Sequence, residues 1–403
     1  MNTHRSPGFF RPSLLGLCLL LALGAQSAAE RENDRAPLTP QRLLEAAQLG
    51  GEYAMNATMA QGRFVYLYDP QRDAVEPGYN MLRHAGTVYS MFQLYEASPN
   101  ERLRRDALRA LDYMHRRIVV DERNDETVAY LLDDDDAKLG GNGLALLATT
   151  EYMRVTGEPR RLWEAQRMAA WIAQLQQPSG EFRPHIIEMP EGEAREFTSL
   201  YYPGEAMLGL VRLHAIDGDE RWLDVAARAA DWLIASRRDV PDDELPHDCW
   251  FLLALDELHR LRPKAHYVAH ARRLARVLVD AQVRAETAPV PEWIGGFNRP
   301  PRPSPTSTRT EALCAAYRLL RDHGEADEPL DEIRATIERG VRFQLRMQYT
   351  REQARGARRP RLVAGGFPAS FEESMIRIDY VQHNISSFLA LRALMQEGRG
   401  ETR

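Results

Sequence analysis

Cysteine is nearly absent, with three in 403 residues. One of them, Cys18, lies in an N-terminal apolar run, so Cys249 and Cys314 allow at most one disulfide in the remaining chain. That rules out a fold stapled by a disulfide framework. Both also sit among apolar neighbours (Trp250 and Phe251; Leu313 and Ala315), where a thiol behaves as a small hydrophobe, and spacing alone does not show that their Cβ atoms meet. Long apolar runs are missing after residue 29, which argues against a membrane-embedded fold. β-branched runs are scarce: FVYLY at 64–68 and TVAYLL at 127–132 are short and fall between helical stretches. A sheet-based fold is thereby excluded. No Gly-x-Ser-x-Gly, phosphate loop or dinucleotide glycine pattern occurs, so nucleotide-dependent and serine-hydrolase chemistry have no support. Excess positive charge is absent too. The formal charge is −6, and two units more negative without Arg5 and Arg11, which disfavours nucleic acid and anionic membrane as partners.

The N-terminus reads as a secretory signal over residues 1–29. Arg5 and Arg11 form a basic region, residues 14–23 an apolar one, and Ala25, Ser27, Ala28 and Ala29 offer small-x-small cleavage after Ser27 or Ala29. Leu17 precedes Cys18 where a lipoprotein signal wants a small residue, so no lipid anchor is expected. The expectation is a periplasmic or secreted protein without stable membrane insertion after the signal is removed. Residues 30–39 are polar and proline-containing, a linker.

From residue 40 to 398 the chain reads as one domain. Helical periodicity predicts helices at about 40–58, 80–97, 100–118, 140–156, 159–177, 203–216, 220–237, 247–261, 264–284, 306–323, 328–348 and 379–397. Even-numbered helices (GLALLATTEYM, GEAMLGLVRLH, CWFLLALDELH) are apolar nearly all round; odd-numbered ones (ERLRRDALRALDYMHRRI) carry an arginine-rich stripe. The first kind is buried and the second faces water. Alternation of inner and outer helices over six hairpins is the pattern of an all-α (α/α)6 ring. A repeat accompanies it: Gly62-Arg63-Phe64, Gly180-Glu181-Phe182, Gly295-Gly296-Phe297 and Gly365-Gly366-Phe367 each follow an outer helix and precede an inner one.

These alternating hairpins, and turns such as QLQQPSGEF, resemble the α/α toroids: the six-hairpin glycosidase superfamily and the helical domain of glucuronyl epimerases. The toroids of terpene cyclases and prenyltransferases share the turn. The resemblance covers residues 40–398 as an architecture, and it implies a glycan as substrate, since exported toroids mostly act on glycans.

In such a ring the inner-helix N-termini converge on one mouth, where free N–H groups and positive dipole ends favour anions. Capping accounts for some of the polar residues there, but Arg83, His84, Glu205, Gln382 and His383 exceed what caps need. Hydrolysis requires two carboxylates, for which Glu205, Asp379, Asp248 and Glu311 are available. Lyase or epimerase chemistry on a uronic acid requires a cation and a proton carrier, for which Arg83, His84, Tyr202, Tyr380 and His383 would serve. The sequence leaves open both, and a binding protein using the same mouth. The candidate catalytic set is Glu205, His383, His84, Asp379 and Tyr202; the candidate substrate-binding set is Arg83, Asn142, Tyr201, Asp248, Trp250, Glu311, Tyr380 and Gln382. Neither a cofactor nor a metal is expected; a carbohydrate, or another small or polymeric substrate in the central cavity, is.

Three further features draw a plainer reading. Asp133 to Asp136 resemble the acidic motif of terpene cyclases but lack its following threonine, and read as a solvated loop. His266 and His270 share a helix face with no glutamate after the first, and read as a solvated pair. The arginine-rich stretch 351–361 reads as a mobile surface loop.

Overall fold

The computed structural model describes residues 36–400, and its compact unit begins at Thr39. The signal segment and most of the linker lie outside the described residues. Twelve long helices follow: α1 (Pro40–Ala57), α2 (Met81–Ala97), α3 (Glu101–His115), α4 (Leu139–Thr156), α5 (Leu162–Gln174), α6 (Tyr202–Asp217), α7 (Glu220–Ser236), α8 (Cys249–Leu261), α9 (Ala265–Ala281), α10 (Pro303–Asp322), α11 (Asp327–Met347) and α12 (Ile378–Gly400). Their starts follow local chemistry. Thr39 caps α1 through its side chain, with Pro40 next; Asn80, Asn100, Asp219 and Asp248 cap α2, α3, α7 and α8.

The even helices form the inner ring. α2 packs on α4, α4 on α6, α6 on α8, α8 on α10, α10 on α12, and α12 back on α2. Each outer helix returns the chain, so all six inner helices run the same way and start at the same end. α4 shows why it is inside: every residue from Leu139 to Met153 is buried, a run with no polar stripe. α3 is the opposite, burying only Leu103, Asp106, Ala107, Ala110, Leu111 and Met114.

The four Gly-x-Phe turns perform the same task in each copy. Gly62, Gly180, Gly295 and Gly365 all have φ between 83° and 97°. A Cβ on any of them would collide with a backbone carbonyl of the next outer helix, at Arg109, Arg228, Arg339 and Leu49 respectively. In three copies a glutamine locks the contact: Gln176, Gln282 and Gln348 donate to the carbonyls of Val225, Thr336 and Ala46, at 2.8, 2.9 and 2.9 Å. Phe64, Phe182, Phe297 and Phe367 are buried beneath. The last copy docks on α1 and so closes the ring.

The short β-type segments do form strands, decorating an all-helical body. TVAYLL lies within β4 (Glu126–Asp133), which pairs with β3 (Ile118–Arg123) and continues through β5 (Asp136–Lys138), β6 (Ile186–Glu188) and β7 (Glu193–Ala194) as a five-stranded antiparallel sheet. A second sheet of β1 (Leu67–Asp69), β2 (Ala74–Val75) and β8 (Ile376–Arg377) joins the first and last outer-to-inner connections. The arginine-rich stretch is tied down instead of loose: Arg351 pairs with Glu52 at 2.6 Å, Arg359 with Asp73 at 3.1 Å, and the Arg361 carbonyl accepts from Asn56. Cys249 and Cys314 are both buried free thiols, and burial pushes each up to about 12. Among the described residues no helix is long and apolar enough to cross a membrane.

Candidate functional site

The first turns of the inner helices lie side by side. Arg83 on α2 reaches Asp379 on α12 at 3.2 Å. Gly140 on α4 sits directly beneath Glu205 Oε2 and the Tyr202 ring of α6, both of which a Cβ there would strike. Gly204 on α6 lies against the backbone of Trp250 and Phe251 on α8. Glu311 on α10 is 3.9 Å from His383 Nδ1 on α12. Trp250 and His383 have ring centroids 5.9 Å apart, a contact between two helices that are not neighbours in the ring.

Glu205 is the most perturbed group in this set. It is 3% exposed, and its Oε2 has no hydrogen-bond partner. Burial, then the nearby Asp248 charge, pushes its carboxyl up to about 8, with Arg83 opposing. Tyr202 beside it is pushed up to about 12 by burial and then by Glu205. The pair therefore presents a protonated acid and a neutral phenol at neutral pH.

Asp379 is bracketed by arginines: Arg377 donates to its Oδ1 at 2.6 Å and to its Oδ2 at 3.0 Å, and Arg83 also donates to Oδ2. Arg83 reaches Tyr66 Oη at 2.9 Å, and Arg377 stacks 4.6 Å over Tyr380. Sequence reasoning missed Arg377 and Tyr66. They meet because Leu67 pairs with Arg377 across β1 and β8, a register between distant segments with no local signal. Gln382 packs against Gly86 of α2, and its Nε2 lies 3.4 Å from His383 Nδ1. Across the mouth Arg309 donates to His247 Nδ1 at 3.2 Å; burial, then that arginine, lowers His247 to about 4.

Three expected site residues are placed elsewhere. His84 points out of the mouth into the α2–α3 layer, wholly buried, with Nδ1 on Tyr79 Oη at 2.7 Å and Nε2 on the Ala110 carbonyl at 2.9 Å. Burial lowers it to about 4 and leaves it neutral, a packed core histidine with both nitrogens engaged. Asn142 accepts from Leu131 N–H at 2.7 Å and donates to the Lys138 carbonyl at 2.9 Å, pinning β4 to α4. Asp248 caps α8 through Phe251 N–H and pairs with Arg237 at 2.8 Å, fully buried. Tyr201 stands at the rim, 43% exposed.

The acidic run is divided between capping and solvent. Asp133 accepts from Met81 N–H, Asn80 and Lys138, capping α2; Asp134 and Asp135 are exposed; Asp136 pairs with Arg195. Carboxylates that cap, pair with cations and face solvent make this a structural surface loop, which counts against the terpene-cyclase reading. His266 binds Asp231 at 2.8 Å on the surface, whereas His270 is buried behind Phe251, so the two do not form a pair. Among the described residues no group of three or more His, Cys, Asp or Glu is placed to hold a metal.

No protein-family model matches the sequence, and no curated protein matches it. Solved structures do match its shape. Cellobiose 2-epimerase from Bacillus thermoamylovorans superposes with a TM-score of 0.67 at 12% identity, over 88% of this chain and 100% of that one. The GH76A alpha-1,6-mannanase from Salegentibacter sp. gives 0.59 at 13%, over 88% and 99%. An unsaturated glucuronyl hydrolase specific for heparin gives 0.61 at 12%, over 88% and 98%. At such identities the likeness speaks to fold. The described residues have the α/α-toroid fold that these structures share.

Proposed function

We propose that this chain is a glycan-active enzyme that works by proton transfer, with Glu205 as the acid and His383, which faces Glu311, as the base. The observation that carries the reading is Glu205: a buried carboxyl on the first turn of an inner helix, raised to about 8 and without a partner for Oε2. A group kept protonated near the working pH is what general acid catalysis needs. Imidazole is the side chain that most often serves as a general base, and Gln382 Nε2 and Glu311 both face the Nδ1 of His383, at 3.4 and 3.9 Å. The Trp250 ring, itself buried, packs beside His383. The structural neighbours, which include epimerases and glycoside hydrolases, support a carbohydrate as substrate.

Engagement of the other carboxylates favours an epimerase- or isomerase-type reaction. Asp379 is occupied by two arginines and Asp248 by its cap and Arg237, so neither is free to act on a bond. Hydrolysis is the second reading, favoured by Glu311. Among the described residues its nearest charge-bearing contact is His383 Nδ1 at 3.9 Å, beyond hydrogen-bond distance, which makes it the available partner carboxylate for Glu205.

The test is a panel of reducing disaccharides and oligosaccharides followed by NMR, with wild type, His383→Asn and Glu311→Gln. Both variants are expected to fold and to lose about 10²-fold or more in kcat. An epimer or isomer as product supports the first reading, and a released sugar supports the second. A wild type that binds sugars without converting them, or a fully active His383→Asn, overturns the catalytic assignment.

We also infer export, from Arg5, Arg11 and the apolar residues 14–23. The mature protein recovered from a periplasmic or secreted fraction is expected to begin at Ala28 or Glu30. N-terminal sequencing that finds Met1 intact would refute it.

A further inference from the structure

Two large side chains with apolar rings stand exposed just ahead of α6: Phe197 at 45% and Tyr201 at 43%. A singly exposed phenylalanine is ordinary on a protein surface. What marks this one is its position relative to the acid. The Phe197 ring lies 5.8 Å from that of Tyr202, and Tyr202 shares the space above Gly140 with Glu205 Oε2. An aromatic path thus leads from the candidate acid to the rim.

Beyond the rim the path continues. Phe197 is also a wall of an open groove of about 680 Å³, shared with Gln177, Ser179, Glu181, Arg183 and Arg195. The groove lies between the Gly180 turn and the β6–β7 hairpin, and its polar walls are held in place. Gln177 donates to the Arg183 carbonyl at 3.0 Å, Arg183 pairs with Glu181 at 2.6 Å, and Arg195 pairs with both Glu188 and Asp136. Its size is that of a small-molecule site. The Phe197 face, flanked by fixed donors and acceptors, suits a sugar ring, which stacks on one side and hydrogen-bonds at its edges.

We propose that this groove is a set of outer subsites for an oligosaccharide chain, so that the substrate is a glycan several units long rather than a mono- or disaccharide. One sugar lies at Glu205, the chain crosses Tyr202 and Phe197, and its far end rests between Gln177 and Arg195. This deepens the glycan-active reading and rests on it for the position of the reacting sugar.

Two measurements test it, with cellohexaose and alpha-1,6-mannohexaose as probes beside the matching disaccharides. In calorimetry the wild type is expected to bind one hexaose at least tenfold more tightly than its disaccharide. Phe197→Ala should lose about tenfold of that, the equivalent of one aromatic contact. Ser179→Trp, which fills the groove from an exposed turn, should lose the length preference altogether. In turnover the same variants should lower kcat/KM for the hexaose and leave the disaccharide within about twofold. Hexaose and disaccharide bound alike, both hexaoses unbound, or a preference that survives both substitutions would overturn the groove while leaving the Glu205 chemistry standing. Length-dependent binding without turnover would support the groove and count against the catalytic reading.

Discussion

Glutamine in place of Glu205 is expected to abolish turnover and at the same time make the protein harder to unfold at neutral and alkaline pH. The two effects share one cause. The carboxyl is raised from 4.5 to about 8, first by burial and then by Asp248. Between those values the native state keeps a proton that the unfolded chain has released, so stability falls as pH rises across that window and is level above it. At pH 7 the penalty is on the order of 3 kcal/mol, which glutamine does not incur. In a chain of this length that is a rise in Tm of roughly 4 °C. Loss of the acid should cost about 10²–10⁴ in kcat. Wild-type activity should decline above about pH 8 as Glu205 ionises. Melting curves at pH 5 and pH 8 decide the stability half: the gain should be small at the first and large at the second. Equal melting at both, with turnover retained, would show Glu205 to be an ordinary solvated side chain.

The ring itself was legible because a buried helix and a half-exposed helix have different patterns. α4 and α6 are apolar with glycine wherever a neighbour comes close; α3 and α9 carry arginine on one stripe. Boundaries followed from caps and turns and came within a few residues. The candidate site was legible only in part, because position on a first turn does not fix direction. His84 and His383 occupy similar places in sequence, yet one enters the core and the other meets Glu311 and Trp250. A finer use of period separates them. His84 continues into the apolar stripe of Val88 and Met91, whereas Asp379, Gln382, His383 and Ser386 form a polar stripe. Asn142 and Asp248 look like ligands in sequence because the residues that cap and pin are the residues that bind. Nothing local could reveal Arg377 beside Arg83, since strand pairing between the first and last connections creates that meeting.

The expected removal of Arg237 separates a capping role for Asp248 from a binding one. Asp248 has no exposed side-chain surface, and among the described residues its side chain is held by Phe251 N–H at 3.1 Å and Arg237 at 2.8 Å. Arg237→Met leaves that carboxylate buried with a single neutral donor, and breaking one half of such a pair costs about 3–5 kcal/mol. Burial already raises Asp248, and Arg237 is the main influence holding it down. Without the arginine its carboxyl rises further and the native state takes up a proton that the unfolded chain lacks. The loss should therefore be greater at pH 8 than at pH 5 in urea melts. Adding Asp248→Asn removes the charge and keeps a side chain that caps helices well, so the double variant should return to within about 1–2 kcal/mol of wild type. A single variant costing under about 1 kcal/mol, or a double no better than the single, would show that the pair does not anchor α8. The double variant also reports on the site. Asp248 is second only to burial in raising Glu205, so its neutralisation should lower the pH above which activity declines. A capping carboxylate behind α8 thereby helps to keep the proposed acid protonated, without itself touching substrate.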